Sequence, residues 1–160
     1  VIMRKVLDKI MEWACIILFS LMTLVGTYQI VTRYFFDSPS TISEELLTYL
    51  FTWLALIAAA YVFGKRDHMR MSFLVERFSP KTQLWLHILS ECVVMLLAIF
   101  VLGFGGIHIT KLTMTQQSAS LGIPMSYVYC IIPISGLVIV IYNLLNLNLL
   151  WRERREGRKE

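Results

Sequence analysis

The hydrophobic residues of this chain are gathered into four long runs, separated by segments that are richer in charged and turn-forming residues. The runs cover about 13–35, 42–63, 85–110 and 124–150. Each run is long enough to cross a hydrocarbon layer of about 30 Å as an α-helix that rises about 1.5 Å per residue. The pattern therefore predicts an all-α integral membrane protein, with four transmembrane helices in a single domain over 1–160.

A different periodicity occupies the segment between the second and third runs. Met71, Leu74, Val75 and Phe78 recur at the i, i+3, i+4, i+7 spacing of one helical face. This spacing predicts a short amphipathic helix at about 68–78 that lies in the membrane interface on the cytoplasmic side and braces the protein. The alternative is a loop whose sequence is amphipathic by chance.

Two prolines mark local features of the last two helices. Ser79-Pro80 combines an N-cap residue with a proline at the first helical position. We therefore expect the third helix to begin before its apolar run. Pro133 lies inside the fourth run, where we expect it to kink the helix rather than to act as a gate.

The composition agrees with a membrane protein, since 57% of the residues are hydrophobic, 16% are charged and the mean hydropathy is +0.65. There is no clear internal repeat, so the inverted-repeat signature of a self-sufficient secondary transporter is missing. The three cysteines lie in apolar runs without metal-ligand spacing. No catalytic constellation is present, which predicts that the chain is not an enzyme and binds no metal or cofactor.

The basic residues predict the orientation in the membrane. They are concentrated before the first run, between the second and third runs, and after the fourth, and only Arg33 and Lys111 fall on the other side. Because Lys and Arg a short distance from a span resist transfer across the membrane, both termini should be cytoplasmic in a bacterial inner membrane. This topology accounts for the net charge of +4, so a nucleic-acid partner is not needed to explain it.

Two adjacent carboxylates, Glu44 and Glu45, open the second run. Thr41 and Glu44 fit a T-x-x-E capping box, in which Glu44 reaches back to the Thr41 amide and opposes the positive end of the helix dipole. Glu45 needs a separate explanation. It shares one helical stripe with small and hydroxyl residues, which are typical of helix-packing faces in lipid. The other residues of that stripe are Thr41, Thr48, Thr52, Ala55 and Ala59.

The other three helices carry similar stripes, so every helix is expected to have a face that packs against protein. These stripes consist of Ser20, Thr23 and Thr27; of His87, Glu91, Ala98 and Gly105; and of Gly136, Asn143 and Asn146.

Glu91 lies two or three turns into its helix, where an ionised carboxylate is costly. We favour a structural ion pair or hydrogen bond, within the chain or to a partner, over a proton-coupling role. The alternative function is a small dimeric proton-coupled multidrug exporter that uses Glu91. A respiratory membrane anchor that binds haem is a further alternative, but His68, His87 and His108 form no facing pair of ligands.

Several short motifs together resemble the small permease subunit, also called the Q or DctQ-like subunit, of tripartite ATP-independent periplasmic (TRAP) transporters. The resemblance covers essentially the whole chain and is diffuse rather than catalytic. The motifs are Arg33-Tyr34-Phe35-Phe36, Glu44-Glu45, Phe51-x-Trp53, Gly64-Lys65-Arg66-x-His68, and Ser120-Leu121-Gly122-Ile123-Pro124 followed by Tyr127 and Pro133.

The resemblance implies a chain that works with partners. Such subunits bind a large membrane subunit, which carries the substrate and sodium sites and moves by an elevator motion, and a periplasmic binding protein delivers the substrate. The small subunit would enlarge the static scaffold in the lipid bilayer and would hold no sodium itself. The implied substrate is an organic acid, either a C4-dicarboxylate, sialic acid or a related carboxylate, and we lean to sialic acid.

From the stripes, the motifs and the amphipathic segment, we predict a set of residues at the interface with a partner. They are Glu44, Glu45, Thr48, Thr52, Trp53, Leu74, Phe78, Glu91 and Asn143.

Overall fold

The computed structural model describes residues 2–65 and 80–156 of the chain. Within these ranges the regular elements are helices, apart from one isolated β-bridge. Four of the helical stretches are long and apolar enough to cross a membrane. The predicted all-α membrane fold with four spans is therefore confirmed. The amphipathic helix predicted at 68–78, with Leu74 and Phe78, lies outside the described residues.

The first two spans are uninterrupted helices. α1 covers Ile2–Phe35 and α2 covers Thr41–Lys65. α1 begins well before its apolar run because Arg4 and Asp8, in its polar first turns, make hydrogen bonds to other helices. The short connection between α1 and α2 contains Asp37 with a positive φ of 45°. Asp is one of the few residues that adopt this conformation at low cost, which suits it to a tight connection.

The third span changes its helical type along its length. α3 covers Pro80–Leu97, so this helix begins before the apolar run at about 85, as predicted. A π-helical segment follows over Ala98–Gly105, and α4 completes the span over Gly106–Leu112. π-Helices are rare and usually limited to one turn. The glycines in and just after this segment lower the preference of the chain for the narrower α-helix.

The fourth span is interrupted near its beginning. α5 is a single turn over Ser126–Tyr129, and α6 covers Ile131–Glu156. The break falls at Cys130 because Pro133 has no N–H group to donate to the carbonyl of Tyr129, four residues earlier. The kink that the sequence predicted at Pro133 remains a prediction.

The spans pack in a fixed order. α2 and α6 contact each other, α1 packs against α2, and the π segment and α3 pack against α6. The buried core lies where α1, α2, the third span and α6 converge. Many large apolar side chains are exposed on the surface of the bundle, as expected for helices surrounded by lipid or by another membrane protein. The buried core residues of this cluster are Met11, Ala60, Ala98, Ile139 and Tyr142.

Polar contacts hold three helices together where α2 ends, which we call the Lys65 end of the bundle. Tyr142 Oη on α6 donates to Asp8 Oδ1 on α1 at 2.7 Å. The carbonyl oxygen of Gly64 accepts hydrogen bonds from Arg4 Nη2 at 3.3 Å and from Asn146 Nδ2 at 3.4 Å. Arg4 and Asp8 therefore tie the polar start of α1 to α2 and α6.

Two glycines allow very close contacts between helices. A Cβ atom on Gly64 would lie 2.5 Å from the ring of Tyr142, so only glycine leaves room for this tyrosine. A Cβ atom on Gly136 of α6 would lie 2.7 Å from Leu102 Cβ and 3.1 Å from the carbonyl oxygen of Ala98. Close approach of backbones through small residues is a usual way in which helices associate in lipid.

Candidate partner interface

The end of the bundle opposite the Lys65 end is formed by the α1–α2 connection and by residues 113–125, and we call it the loop end. Here α2 begins after Ser40, whose Oγ accepts a hydrogen bond from the Ser43 N–H at 3.3 Å. Ser43 Oγ in turn donates to the Ser40 carbonyl at 2.8 Å. The predicted capping box on Thr41 and Glu44 is therefore wrong. The serine one position earlier caps the helix, and Thr41 is the first helical residue.

Glu45 joins α2 to the loop end. One carboxylate oxygen, Oε2, accepts hydrogen bonds from the backbone N–H groups of Ser120 at 2.8 Å and Leu121 at 3.0 Å. The other, Oε1, accepts a hydrogen bond from the Tyr49 hydroxyl. A carboxylate that accepts several hydrogen bonds is well compensated for its partial burial. The separate explanation that Glu45 required is thus an intramolecular one.

The loop that Glu45 contacts is itself ordered by backbone hydrogen bonds. Met125 N donates to the Gln116 carbonyl at 2.8 Å, and Ser118 N donates to the Ile123 carbonyl at 2.9 Å. Between these pairs, Gly122 adopts a φ of 64°, which glycine accepts without strain. The motif Ser120-Leu121-Gly122-Ile123-Pro124 therefore forms a defined turn whose first two N–H groups point to Glu45.

Two aromatic residues extend this contact along α2. Tyr49 Oη lies 3.3 Å from Met125 Sδ, and Trp53 Nε1 donates to the Val128 carbonyl at 3.2 Å. Glu45, Tyr49 and Trp53 are spaced by four residues, so they lie on one face of α2. Through this inner face, α2 contacts the loop and α5. Tyr49 was missed in the sequence, although its position four residues after Glu45 on the same helix was a usable signal.

Thr48 and Thr52, which were predicted to share a stripe with Glu45, form hydrogen bonds to backbone carbonyls within α2 itself. Thr48 is exposed, and its Oγ1 donates to the Glu44 carbonyl at 3.1 Å. Thr52 Oγ1 donates to the Thr48 carbonyl at 2.9 Å. Because each hydroxyl bonds to the carbonyl one turn earlier, its donor is satisfied without water. These residues can therefore face lipid or another helix at little polar cost.

A continuous exposed stripe follows the outer side of α2, and we call it the outer stripe. After the carboxylate at its start, it contains small or hydroxyl residues and two larger apolar ones, and the small residues suit the close approach of another membrane helix. The predicted contact of Glu44, Thr48 and Thr52 with a partner remains a prediction. The outer stripe consists of Glu44, Thr48, Phe51, Ala55, Ala59 and Val62.

Glu91 and Asn143 are brought together between α3 and α6. Asn143 is only 3% exposed. In the amide orientation that satisfies both groups, its nitrogen donates to the Glu91 carbonyl oxygen at 3.1 Å and to Glu91 Oε2. Sequence analysis placed both residues on helix-packing faces but did not pair them. The contact agrees with the structural hydrogen bond that we favoured for Glu91, and any contact of this pair with a partner remains a prediction.

The parts of the chain that the structure describes contain no group of three or more His, Cys, Asp or Glu side chains placed to hold a metal ion. The cysteines there are free, and they lie on three different spans. What the arrangement offers chemically is a set of packing surfaces and internal hydrogen bonds.

Comparison with known proteins connects this geometry to a family. Residues 22–153 match the family model of the DctQ component of tripartite ATP-independent periplasmic transporters. The match begins inside α1 and extends almost to the end of α6, so it covers the last part of the first span and the other three spans.

Individual relatives agree with the family match. The chain is 30% identical over 153 residues to the sialic acid TRAP transporter small permease protein of Vibrio cholerae, which covers 91% of this chain and 87% of that protein. It is 28% identical over 133 residues to a protein of Haemophilus influenzae named as a TRAP transporter small permease protein, covering 83% of this chain and 82% of the relative. A second Haemophilus influenzae protein of that name is 27% identical over 132 residues.

Proposed function

The chain belongs to the DctQ family of small TRAP transporter permease subunits, and on this basis we propose that it scaffolds a large, sodium-coupled membrane subunit. Together they would take up an organic acid that a periplasmic binding protein delivers. The small subunit would remain static in the bilayer while the large one carries substrate and sodium.

The distribution of polar groups in the spans supports a scaffold. Inside the described bundle, Glu45 is engaged by the loop end and Glu91 by Asn143, while Tyr142 bonds to Asp8. Polar groups that stabilise helix packing in this way are not available to line a solute path. The observation that carries the proposal is the outer stripe, because its small and hydroxyl residues are exposed on a helix whose opposite side is firmly held.

The basic residues support the orientation in the proposal. With both termini cytoplasmic in the bacterial inner membrane, the loop end would face the periplasm. Residues 113–125 would then stand on the side from which a binding protein approaches. Glu45 keeps this loop in one conformation through its two backbone hydrogen bonds, so a docking surface there would need little ordering on contact.

The relative from Vibrio cholerae supports sialic acid as the transported acid, since its name assigns sialic acid to that transporter. A C4-dicarboxylate remains the competing substrate. The two candidate acids can be distinguished in vesicles that contain both membrane subunits. Uptake of each radiolabelled acid is measured with the binding protein present and a sodium gradient across the membrane. Uptake of sialic acid that disappears without sodium is the expected result.

The scaffold itself is tested by affinity purification of this chain from mild detergent. We expect recovery of a larger polytopic membrane protein in equal amount. Tryptophan at Ala55 or Ala59 adds bulk to the outer stripe and should weaken the association about 5- to 150-fold, as overpacking of a helix interface usually costs about 1–3 kcal/mol. Leu96→Trp is the matched control, because Leu96 is exposed on the third span and lies off the stripe.

Three results would count against the proposal. Purification of the wild-type chain as a homogeneous homodimer would favour the dimeric exporter. Saturable, gradient-coupled solute flux in liposomes that contain only this chain would show that it transports by itself. Equal losses in Ala55→Trp and Leu96→Trp would leave the outer stripe without a role in assembly.

A further inference from the structure

The hydroxyl group of Tyr49 lies between two groups that can accept its proton. It donates to Glu45 Oε1, and it also lies 3.3 Å from the sulfur atom of Met125. A hydroxyl has only one proton to donate, and a thioether sulfur is a weak acceptor beside a carboxylate. The proton of Tyr49 therefore goes to Glu45, and Met125 only packs against the hydroxyl.

Met125 is held at this place by its own backbone. Its N–H group donates to the Gln116 carbonyl at 2.8 Å, and its carbonyl oxygen accepts from the N–H groups of Val128 at 3.0 Å and Tyr129 at 3.1 Å. Its side chain is partly exposed and lies directly before the fourth span, at the loop end. The sulfur is thus kept near Tyr49 by a backbone that is firmly bonded, while part of the side chain is open to its surroundings.

The hydrogen-bonding strength of this side chain depends on the oxidation state of its sulfur. Hydrogen peroxide oxidises a methionine thioether to a sulfoxide. An electron pair of the sulfur forms a bond to one peroxide oxygen, the O–O bond breaks, and the other oxygen leaves as water with the proton of the first. The sulfur is oxidised and the peroxide is reduced. The product is polar, and its oxygen is a stronger acceptor than the sulfur was.

A sulfoxide at Met125 would compete with Glu45 for the proton of Tyr49. Because the Met125 backbone is held in place, the added oxygen has to fit beside a hydroxyl that lies only 3.3 Å from the sulfur. When the hydroxyl turns to the sulfoxide, Glu45 keeps only the hydrogen bonds from the backbone N–H groups of Ser120 and Leu121. The carboxylate then loses the side-chain donor that orients it toward the loop.

From this geometry we propose that Met125 is a reversible oxidation site, and that its sulfoxide weakens the attachment of the loop end to Glu45. Oxidation draws the Tyr49 proton away from the carboxylate, and reduction of the sulfoxide restores the original contact. The cellular setting rests on the proposed function, because the loop end meets oxidants of the periplasm only in the orientation given there. The chemistry itself concerns this chain alone.

The test combines oxidation by hydrogen peroxide with amide hydrogen exchange of the full chain in lipid nanodiscs. Each protein is compared with itself before and after oxidation, and mass spectrometry identifies the methionines that gain one oxygen atom. When Met125 is oxidised, the amides of Ser120 and Leu121 should exchange about fivefold faster, which corresponds to the loss of one net hydrogen bond of about 1 kcal/mol. The two methionine sulfoxide reductases, one for each sulfoxide epimer, should restore the starting rate.

Three variants separate the effect of Met125 from general oxidation. Met125→Leu keeps an apolar side chain of similar volume that cannot form a sulfoxide, so peroxide should leave its exchange unchanged. Met114→Leu is the matched control, since Met114 belongs to the same loop and is 58% exposed, and this variant should keep the fivefold response. Met125→Gln places an amide carbonyl near Tyr49 and should show the faster exchange without any oxidant.

Three results would overturn the proposal. The first is a wild-type chain that carries the sulfoxide at Met125 and still exchanges at its starting rate. The second is equal acceleration by peroxide in Met125→Leu and in the wild type. The third is a Met125 that stays unmodified after Met114 has reacted completely. None of these results bears on the scaffold, which the affinity purification tests separately.

Discussion

Replacing Glu45 by alanine should detach the loop end from α2. The replacement removes the acceptor of three hydrogen bonds, two of which come from the backbone N–H groups of Ser120 and Leu121. Hydrogen bonds to charged groups contribute about 1.5–3 kcal/mol each. Because Glu45 is only half-buried, solvent screens its charge, and its two backbone bonds contribute less than fully buried ones would.

The assay is amide hydrogen exchange of the chain in lipid nanodiscs, followed for the peptide that contains Ser120 and Leu121. Loss of both bonds should make exchange of these two amides at least about tenfold faster, which allows for solvent screening of the carboxylate. Glu45→Gln should have a smaller effect, about fivefold, since its carbonyl oxygen still accepts both backbone bonds but without charge. The peptides of α6 should exchange at the wild-type rate, because the opening is local.

Glu44→Ala is the control for this experiment. Glu44 is adjacent in sequence and carries the same charge, but its side chain lies on the exposed side of α2. Its replacement should leave the exchange of Ser120 and Leu121 unchanged. The reasoning is refuted if Glu45→Ala leaves these amides protected, or if Glu44→Ala accelerates their exchange to the same extent.

Two further predictions concern contacts between the helices. Gly64→Ala should lower the free energy of unfolding by about 1–3 kcal/mol, because its Cβ would overlap the ring of Tyr142. Gly26→Ala is the control and should have little effect, since its Cβ would lie 3.9 Å from the nearest side-chain atom. Equal shifts in the thermal midpoint of the two variants would contradict this prediction. Asn143→Leu should cost about 1–3 kcal/mol by removing a donor from Glu91. In a denaturation series, adding Glu91→Leu should recover part of that loss, and strict additivity of the two changes would argue against the contact.

The four spans were predictable because a long apolar run in lipid has few alternatives to a helix. The sequence placed the start of the first span near residue 13, whereas α1 begins at Ile2. The extension depends on Arg4 and Asp8 finding partners on other helices, and such partners are separated by more than 50 residues in the chain. Hydropathy along the chain carries no information about contacts at that distance.

The role of Glu45 was only half predictable. Its position on a helical face showed that helix capping did not explain it, but the groups that bind it are the backbone N–H groups of Ser120 and Leu121. Every residue except proline has a backbone N–H group, so the sequence does not show which of these groups binds a side chain. The stripe that joined Glu45 to Thr48 was also too coarse, since the two residues differ in direction by enough to face different neighbours.

The two sides of α2 now suggest how a small subunit of this family contributes to an assembly. Its inner side is held by Glu45, Tyr49 and Trp53, so the helix cannot readily rotate about its axis. The outer stripe is therefore presented in one orientation before any partner binds. Association in lipid gains little from burying apolar surface, so its affinity depends on close packing and on how little must be ordered on contact. If the proposed function is correct, a mutation on the inner side of α2 would weaken binding of the large subunit, although the mutated residue does not contact that subunit.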